Sequence, residues 1–514
     1  MKINATDITN VYYNGNADAL YKGDNKIWPL QEHYTEIVID LSLRTSSPDN
    51  TYFYFKLNDY LDSEVDADYK KIEWGDGTIT YGANSHKYKN NGIYTVRFGC
   101  YYSLRIADEF SPCVIKLNKL NDIGYTKLDS LFEGFTNLTS DREIIIPKKV
   151  TSIIKMFKGC TKFNSKVRFY NNITNCTSAF EGCTEFNQPI VIPETVTNCT
   201  AMFASCLNLN STVVIGENVT DCNSMFTGCR LFNKPITIPS TVKNCTSMFY
   251  GCQSLNSTVV IGENVTDCNN MFSDCRSFNQ PITIPSSATN CSYMFSGCQK
   301  LNSKVVIGEN VTNCNGMFYG CKSFNKYVTI PSKVTVCGSM FNGAIGFDQE
   351  IRIPDSVTDM SSMFRNCKYF IRPINIPANV TSLSYTFDGC TSFNHSITIP
   401  AKVTNCSNML SGCTEFNQPV TIVESDTTFN ANNMFSGCTN FNQPVDLKNR
   451  ASSTMYLFKN CTALTSIVSN WNKTYTNTIT TTDCYSGCTS INTIDGNPGT
   501  LDNIPTTWGG KLAV

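Results

Sequence analysis

Residues 245–256 read CTSMFYGCQSLN, and close variants of this stretch recur along most of the chain. With the Phe of MFYGC as register mark, equivalent positions fall at Phe157, Phe180, Phe203, Phe226, Phe249, Phe272, Phe295, Phe318, Phe341, Phe364, Phe387 and Leu410, each step 23 residues. Phe132 precedes the series by 25 residues, Phe435 follows it by 25 and Phe458 by a further 23, with a degenerate copy around Tyr485, about sixteen copies in all. A chain of 514 residues exceeds one ordinary hydrophobic core, but a repeat builds an elongated core coil by coil, with atypical terminal coils as caps. A second period overlies the first. LNSTVVIGENVTDCN at 209–223 recurs identically at 255–269 and nearly so at 301–315, with FNKPITIP (232–239) and FNQPITIP (278–285) between them. Two alternating coils make a 46-residue unit, the mark of duplication in pairs.

Each coil divides in two. PITIP (235–239) and TVVIG (212–216) place β-branched residues at period two and stop at Pro or Gly, which predicts a short strand. CTSMFYGC places Cys245, Met248, Phe249 and Cys252 at i, i+3, i+4 and i+7, which predicts one or two helical turns with one buried face. Neither piece can bury its apolar face alone. Stacked coils can, with strands in a parallel ladder about 4.8 Å apart and a rod on the order of 70 Å long.

Composition excludes several classes of partner. The 41 basic and 42 acidic residues give a formal charge of −1, so the chain as a whole carries no electrostatic footprint for nucleic acid or an anionic membrane. Only 16% of residues are charged, leaving solubility to Asn, Ser, Thr and Gln. The opening MKINATDITN has no apolar h-region and no run of about 18 apolar residues occurs, so neither export signal nor membrane insertion is expected.

The repeat supplies its own comparison of equivalent positions. One cysteine column (Cys176, Cys199, Cys222, Cys245, Cys268, Cys291, Cys314, Cys337, Cys406) is replaced by Ile153, Met360 and Leu383 in other coils, so bulky apolar groups fit there. The other (Cys160, Cys183, Cys206 and onward) becomes Ala344 while Cys337 stays, and Cys367 and Cys390 persist opposite Met360 and Leu383. Columns that vary independently argue against disulfides. With three His in the chain, a metal site would have to be built from Cys alone in coil after coil. The favoured reading is buried thiols serving as small core residues; no metal or cofactor is expected. The Asn after the aromatic (Asn187, Asn210, Asn233, Asn256, Asn279, Asn302, Asn325, Asn394, Asn417) is read as a ladder satisfying backbone groups of neighbouring coils rather than as a ligand row. The outward strand positions Val214, Thr237, Val260, Thr283, Val306 and Thr329 lack aromatic or Arg anchors and make a poor hot-spot surface. Glu217, Glu263 and Glu309 recur at one surface position of successive GENVT turns, and no catalytic constellation is found; the chain is expected not to be an enzyme.

The coupling of IP..VT before the Met-Phe segment to GC..L or GC..FN after it resembles the BspA-type leucine-rich repeats, and MF..C..FNQP together with VTDMSSMFRNCKYF (357–370) resembles the related Met-Phe repeats of bacterial surface lipoproteins. The resemblance covers about residues 125–495 and implies a solenoid for adhesion or recognition. IEWGDGTITYGANSHKYKNNGIYTVRF (72–98) resembles a PKD-type immunoglobulin-like domain, with Trp74, Gly75, Asp76 and Gly77 as the turn and His86, Tyr88, Gly92, Tyr94 and Val96 as the second motif. His86 is read as a hydrogen-bonded structural histidine before a metal ligand, and Tyr94 and Val96 fall on one strand face. ITNVYYNGNADALYKGDNKIWPL (8–30) resembles the β-rich segment that opens phage tail and appendage proteins, with turns expected at Asn14-Gly15 and Gly23-Asp24. Assembly in a reducing cytoplasm would suit both the absence of a signal and the 26 cysteines. Trp508 in NIPTTWGGKLAV (503–514) is read as part of a cap.

The expected architecture is mainly β with short helices: a virion-attachment-like β segment (1–30), a PKD/Ig-like β-sandwich (31–115), a leucine-rich-repeat-like solenoid of about sixteen coils with a parallel sheet (116–495), and a C-terminal cap (496–514). The resemblances imply a non-enzymatic phage virion surface or appendage (fibre) protein, assembled in the bacterial host cytoplasm, that recognises a host through its solenoid. Expected partners are other virion proteins at the N-terminal region and a host surface protein or glycan, with homo-oligomerisation open. The alternatives are a bacterial cell-surface leucine-rich-repeat adhesin and a purely structural virion decoration protein.

Overall fold

The computed structural model describes residues 10–13, 17–22, 25–28, 34–43, 52–54, 56–57, 71–83, 85–99, 102–103, 112–120, 126–448, 450–467, 480–494 and 497–500, with 502 and 506. They fall in two compact units, Met1–Val196 and Thr197–Val514.

In the first unit β1 (Asn10–Tyr13), β2 (Ala17–Lys22) and β3 (Asn25–Trp28) form a three-stranded antiparallel sheet. The turns expected at Asn14-Gly15 and Gly23-Asp24 lie outside the described residues, as does Trp508. Then follow β4 (Thr35–Asp40), β5 (Tyr52–Tyr54), β6 (Lys56–Leu57), β7 (Lys71–Glu73), β8 (Ile79–Tyr81), β9 (Ser85–Lys87), β10 (Ile93–Phe98), β11 (Tyr102–Ser103) and β12 (Val114–Lys119). Five of them form an antiparallel sheet in the order β12-β4-β10-β7-β8, while β5 pairs with β9 and β6 with β11. Alternation decides which face is buried: in β10, Val96 and Phe98 are buried and Tyr94 half-buried on one side. The turn between β7 and β8 needs Gly75, because its φ is +86° and a Cβ there would lie 2.5 Å from the Thr95 carbonyl oxygen.

β12 runs through residue 115 and feeds the first coil. Leu117 N–H donates to the Thr139 carbonyl (2.8 Å) and Thr139 N–H to the Ile115 carbonyl (3.0 Å), so a strand of the antiparallel sheet covers backbone that a first coil would otherwise leave open. In this unit Phe132, Phe157 and Phe180 stack at 5.4 and 5.5 Å, and the strands Ile144–Ile145 and Val167–Arg168 pair in parallel.

The repeat region is a mainly β parallel solenoid of about thirteen turns; the sixteen copies counted in the sequence include the irregularly spaced ones at either end. In the second unit a single coil shows how it is held. Strand Ile236–Thr237 pairs in parallel with Val259–Val260 one coil on, and Ile282–Thr283 with Val305–Val306. The ladder is therefore broken into pairs: Pro235 and Pro281, at the head of alternate strands, have no N–H for the rung to the preceding coil.

The CTSMFYGC segment is not a helix, contrary to its periodicity. Cys245, Ser247, Phe249 and Gly251 send their N–H groups to Asp267, Asn269, Met271 and Ser273 in the next coil (2.8–3.0 Å), while Met248, Tyr250 and Cys252 bond three residues back. Ser247 and Gly251 sit at φ +53° and +72°. A helix would turn every N–H inward along its own chain and tolerates no left-handed residue. Stacked identical coils offer a better acceptor for every second N–H, and the left-handed positions turn those groups along the stack. The i, i+3, i+4, i+7 pattern survives because the same residues still line one face: Cys245, Met248, Phe249 and Cys252 are fully buried.

Candidate binding surface of the repeat region

The cysteine columns belong to the core. Cys245, Cys252, Cys314 and Cys321 are fully buried thiols, and Ile153, Met360 and Leu383 are buried in the site of the first column. The second column does more than fill space. Cys252 Sγ donates to the Phe226 carbonyl (3.1 Å), Cys275 to Phe249 (3.0 Å), Cys298 to Phe272 (3.0 Å) and Cys390 to Phe364 (2.9 Å). Each of these carbonyls already accepts one backbone N–H, as Phe226 does from Cys229 (3.0 Å), so the thiol takes the second lone pair. Burial pushes the Cys314 thiol up to about 12, and raises Cys252 and Cys298 well above the ordinary thiol value. Such thiols are poor nucleophiles and poor metal ligands. Among the described residues no group of three or more His, Cys, Asp or Glu is placed to hold a metal ion, and no helix is long and apolar enough to cross a membrane.

In the N-terminal unit His86 lies 2.8 Å from the Asp76 carboxylate and stacks on the buried Trp74 at 4.9 Å, while the Tyr88 hydroxyl donates to the Trp74 carbonyl. Partial burial draws the Asp76 carboxyl upward, but hydrogen bonds from His86 and Thr78 outweigh it and hold the group below the usual carboxylate range. His86 is tied into this cluster as a structural residue.

The Asn row forms the expected ladder. The side-chain oxygen of Asn233 accepts the N–H of Asn256 (2.8 Å), Asn256 that of Asn279 (2.8 Å), Asn279 that of Asn302 (2.7 Å) and Asn302 that of Asn325 (3.0 Å). Asp348 takes the same place, accepting from Ile371. One backbone N–H per coil is thereby satisfied at the turn leading into the strand. The Nδ2 groups of Asn256, Asn279 and Asn302 have no partner among the described residues, and all three residues are exposed.

That turn also carries a charge pattern the column comparison had not singled out. Arg230, Arg276, Lys322 and Lys368 occupy one position of every second coil, alternating with Gln253, Gln299 and Ile345. Lys234, Lys300, Lys304, Lys326 and Arg372 lie within the same turns, against Asp348 and Glu350 as the acids. Arg372 pairs with Asp348 (3.1 Å); the other eight cations have no ion-pair partner among the described residues. The turn at the far end of the strand is the reverse. In the corresponding coils it holds Glu217, Asp221, Glu263, Asp267, Glu309, Asp355 and Asp359 against Lys243 and Lys333. A near-neutral chain thus presents one basic and one acidic edge, separated by a strand face on which Val214, Val260 and Val306 stand 49%, 50% and 39% exposed. The signal was legible in the 46-residue period, but net charge averages it away.

One further buried group escaped the sequence reading. Arg450 is 1% exposed, and its five N–H groups go to the carbonyls of Thr427 (2.7 Å), Pro400 (3.3 Å), Val423 (2.9 Å), Ala401 (2.7 Å) and Val403 (3.0 Å), with the guanidinium over the Phe429 ring. It ties the segment Pro400 to Val403 to Val423 and Thr427, which lie in the irregular coil between Leu410 and Phe435 that carries two added residues. Burial lowers its pKa from the ordinary arginine value.

Similar folds occur among solved bacterial proteins. A leucine-rich repeat protein from Bacteroides ovatus is 18% identical over 80% of this chain and 94% of its own, with a TM-score of 0.43. A leucine-rich cell surface protein from Faecalibacterium prausnitzii is 20% identical over 74% and 96% (TM-score 0.35), and the pneumococcal vaccine antigen PcpA 14% over 66% and 83% (TM-score 0.33). Among curated protein sequences none matches. The family described as "Mycoplasma protein of unknown function, DUF285" matches in overlapping copies at residues 126–238, 174–283, 197–307, 220–330, 308–399 and 381–495, more than two thirds of the chain. Both its repeat and the columns described above lie in that span, and the chain belongs to the DUF285 family.

Proposed function

We propose that this chain is a non-enzymatic adhesion-type protein of a bacterial cell surface, whose solenoid meets its partner through the basic edge. The observation that carries the reading is the row of unpaired cations on a hydrogen-bonded backbone ladder. Stacking needs the Phe, Cys and Asn columns; it gains nothing from repeated positive charge at one turn, which is left to a function outside the core. The PKD-like region at 31–115 serves in this reading as a spacer.

Buried thiols are no objection to an oxidising exterior. Thiols that stay protonated and out of solvent react slowly with disulfides, so a chain of this kind keeps them wherever it resides. For the same reason they do not favour the second reading, a virion appendage or decoration protein, which rests on the resemblance of residues 8–30 and on the separate sheet formed by β1 to β3. Antibody raised against residues 126–495 distinguishes the two. Label on intact, non-permeabilised cells of the source, with binding of the purified chain to host cells, supports the adhesin. Label confined to virus-like particles replaces it with the appendage reading.

A further inference from the structure

We infer that the basic edge between Arg230 and Lys368 holds a linear acidic polysaccharide, laid along the stack, in which charged and neutral sugars alternate. The inference rests on the adhesion reading above and names its ligand class. Its basis is the alternation at one position of the turn: the row runs Arg230, Gln253, Arg276, Gln299, Lys322, with Ile345 in place of Gln before Lys368, and with Lys300 and Lys304 adding charge beside Gln299. Successive coils lie about 4.8 Å apart, so cations recur about every 10 Å with an amide midway. An extended disaccharide has that length. A polymer with one carboxylate per disaccharide would place each anion opposite an Arg or Lys and each neutral sugar opposite a Gln, whose amide donates to and accepts from hydroxyls.

Two further features suit the same ligand. The backbone under the row is fixed: Arg230 accepts the N–H of Ser254 (3.0 Å), Arg276 that of Lys300 (3.2 Å) and Lys322 that of Gly346 (3.1 Å), so the pitch is built in before binding. Beside it the exposed Asn256, Asn279 and Asn302, whose Nδ2 groups have no partner among the described residues, provide one more donor per coil. Nucleic acid fits less well. Its phosphates follow at about 3.4 Å per strand, three for each cation of the row, and binding without sequence preference calls for aromatic platforms in step with the bases. Tyr327 and Tyr369 are the exposed aromatics of these turns, and they are not periodic.

The test is fluorescence anisotropy of the full chain with three labelled probes at low ionic strength: hyaluronan oligosaccharide, which alternates acidic and neutral sugars, neutral dextran, and poly(dT). Hyaluronan should bind, dextran should not, and poly(dT) should bind more weakly. Raising salt from about 0.05 to about 0.5 M should weaken hyaluronan binding about tenfold as the screening length shrinks. Arg276→Glu with Lys322→Glu should weaken it about tenfold or more, a loss of about 1.4 kcal/mol. The milder Arg276→Gln with Lys322→Gln, which removes the two central charges of the row and leaves Arg230 and Lys368 in place, should act in the same direction. Lys333→Glu on the acidic edge should leave binding within about twofold. Equal affinity for dextran, tighter binding of poly(dT), or indifference to both double variants overturns the inference. A chain that binds host cells but not hyaluronan also overturns it while leaving the adhesion reading intact; a chain that binds neither removes both.

Discussion

Raising the pH from 7 to 10 should unfold the repeat region, and the magnitude follows from its thiols. Cys314, fully buried, has its pKa raised by that burial to about 12 from the ordinary 9.0, and burial holds Cys252, Cys275 and Cys298 well above 9.0 too. In the unfolded chain a thiol at pH 10 is ionised roughly ten to one, which lowers the free energy of that state by about 1.4 kcal/mol per thiol; at pH 9 the figure is about 0.4 kcal/mol. The folded thiol stays protonated and gains almost nothing. The native state therefore binds more protons than the unfolded one. The stabilisation is whole below about pH 9 and is lost as pH rises from there toward 12. A coil with cysteine in both columns loses about 3 kcal/mol at pH 10, comparable to the whole stacking contribution of a core aromatic. Urea unfolding followed by circular dichroism, under reducing conditions at pH 7, 8, 9 and 10, should show midpoints that hold to about pH 8.5 and then fall steeply. Cys321→Ala, which copies Ala344 of the next coil, should reduce the alkaline slope by about 1.4 kcal/mol per pH unit. A midpoint that does not move between pH 7 and 10, or rapid reaction of the native chain with a thiol reagent at pH 8, would refute the reasoning.

Three other outcomes are expected. Arg450→Met should destabilise by about 3–5 kcal/mol, because five carbonyls lose the guanidinium at once and only that of Pro400 keeps another donor, the Val403 N–H, and Arg450→Lys should recover part of this with three donors; a loss under about 1 kcal/mol in urea unfolding would remove the pinning role. Asn256→Ala should cost about 1 kcal/mol, whereas Asn256→Asp should be close to neutral at pH 7, since Asp348 shows that a carboxylate accepts the same N–H; equal costs in thermal melts would discount the ladder. Asp274 sits at φ +58° in a position that is Gly251 one coil earlier and Gly297 one coil later, so Asp274→Gly should stabilise by about 1 kcal/mol, and a lower melting temperature would contradict the left-handed strain argument.

The repeat, its period and the Asn ladder were legible because every coil meets the same neighbours, which turns position-by-position variation into a structural measurement. Ala344 opposite Cys337 identified the columns as packing sites, and their burial agrees. The helix over 245–252 was misread because apolar periodicity reports which residues share a buried face; it is silent on where the N–H groups go. The interrupted ladder was hidden in the same way: Pro235 and Pro281 were visible as strand stops, but their effect depends on which neighbour each strand would have bonded. Arg450 gave no signal, since a lone Arg in a polar stretch reads as surface until the carbonyls of two other segments, 400–403 and 423–427, close round it.

By itself, then, the sequence determined the periodicity, the stacked parallel architecture and the identity of the core columns, because identical coils can bury their apolar faces only against one another. Tertiary structure alone decided what depends on a partner one coil away: the left-handed strap in place of a helix, the thiols donating to the preceding coil's carbonyls, and the burial of Arg450. Each is a contact between residues 22 or more apart in sequence, and its energy exists only once the coils are stacked.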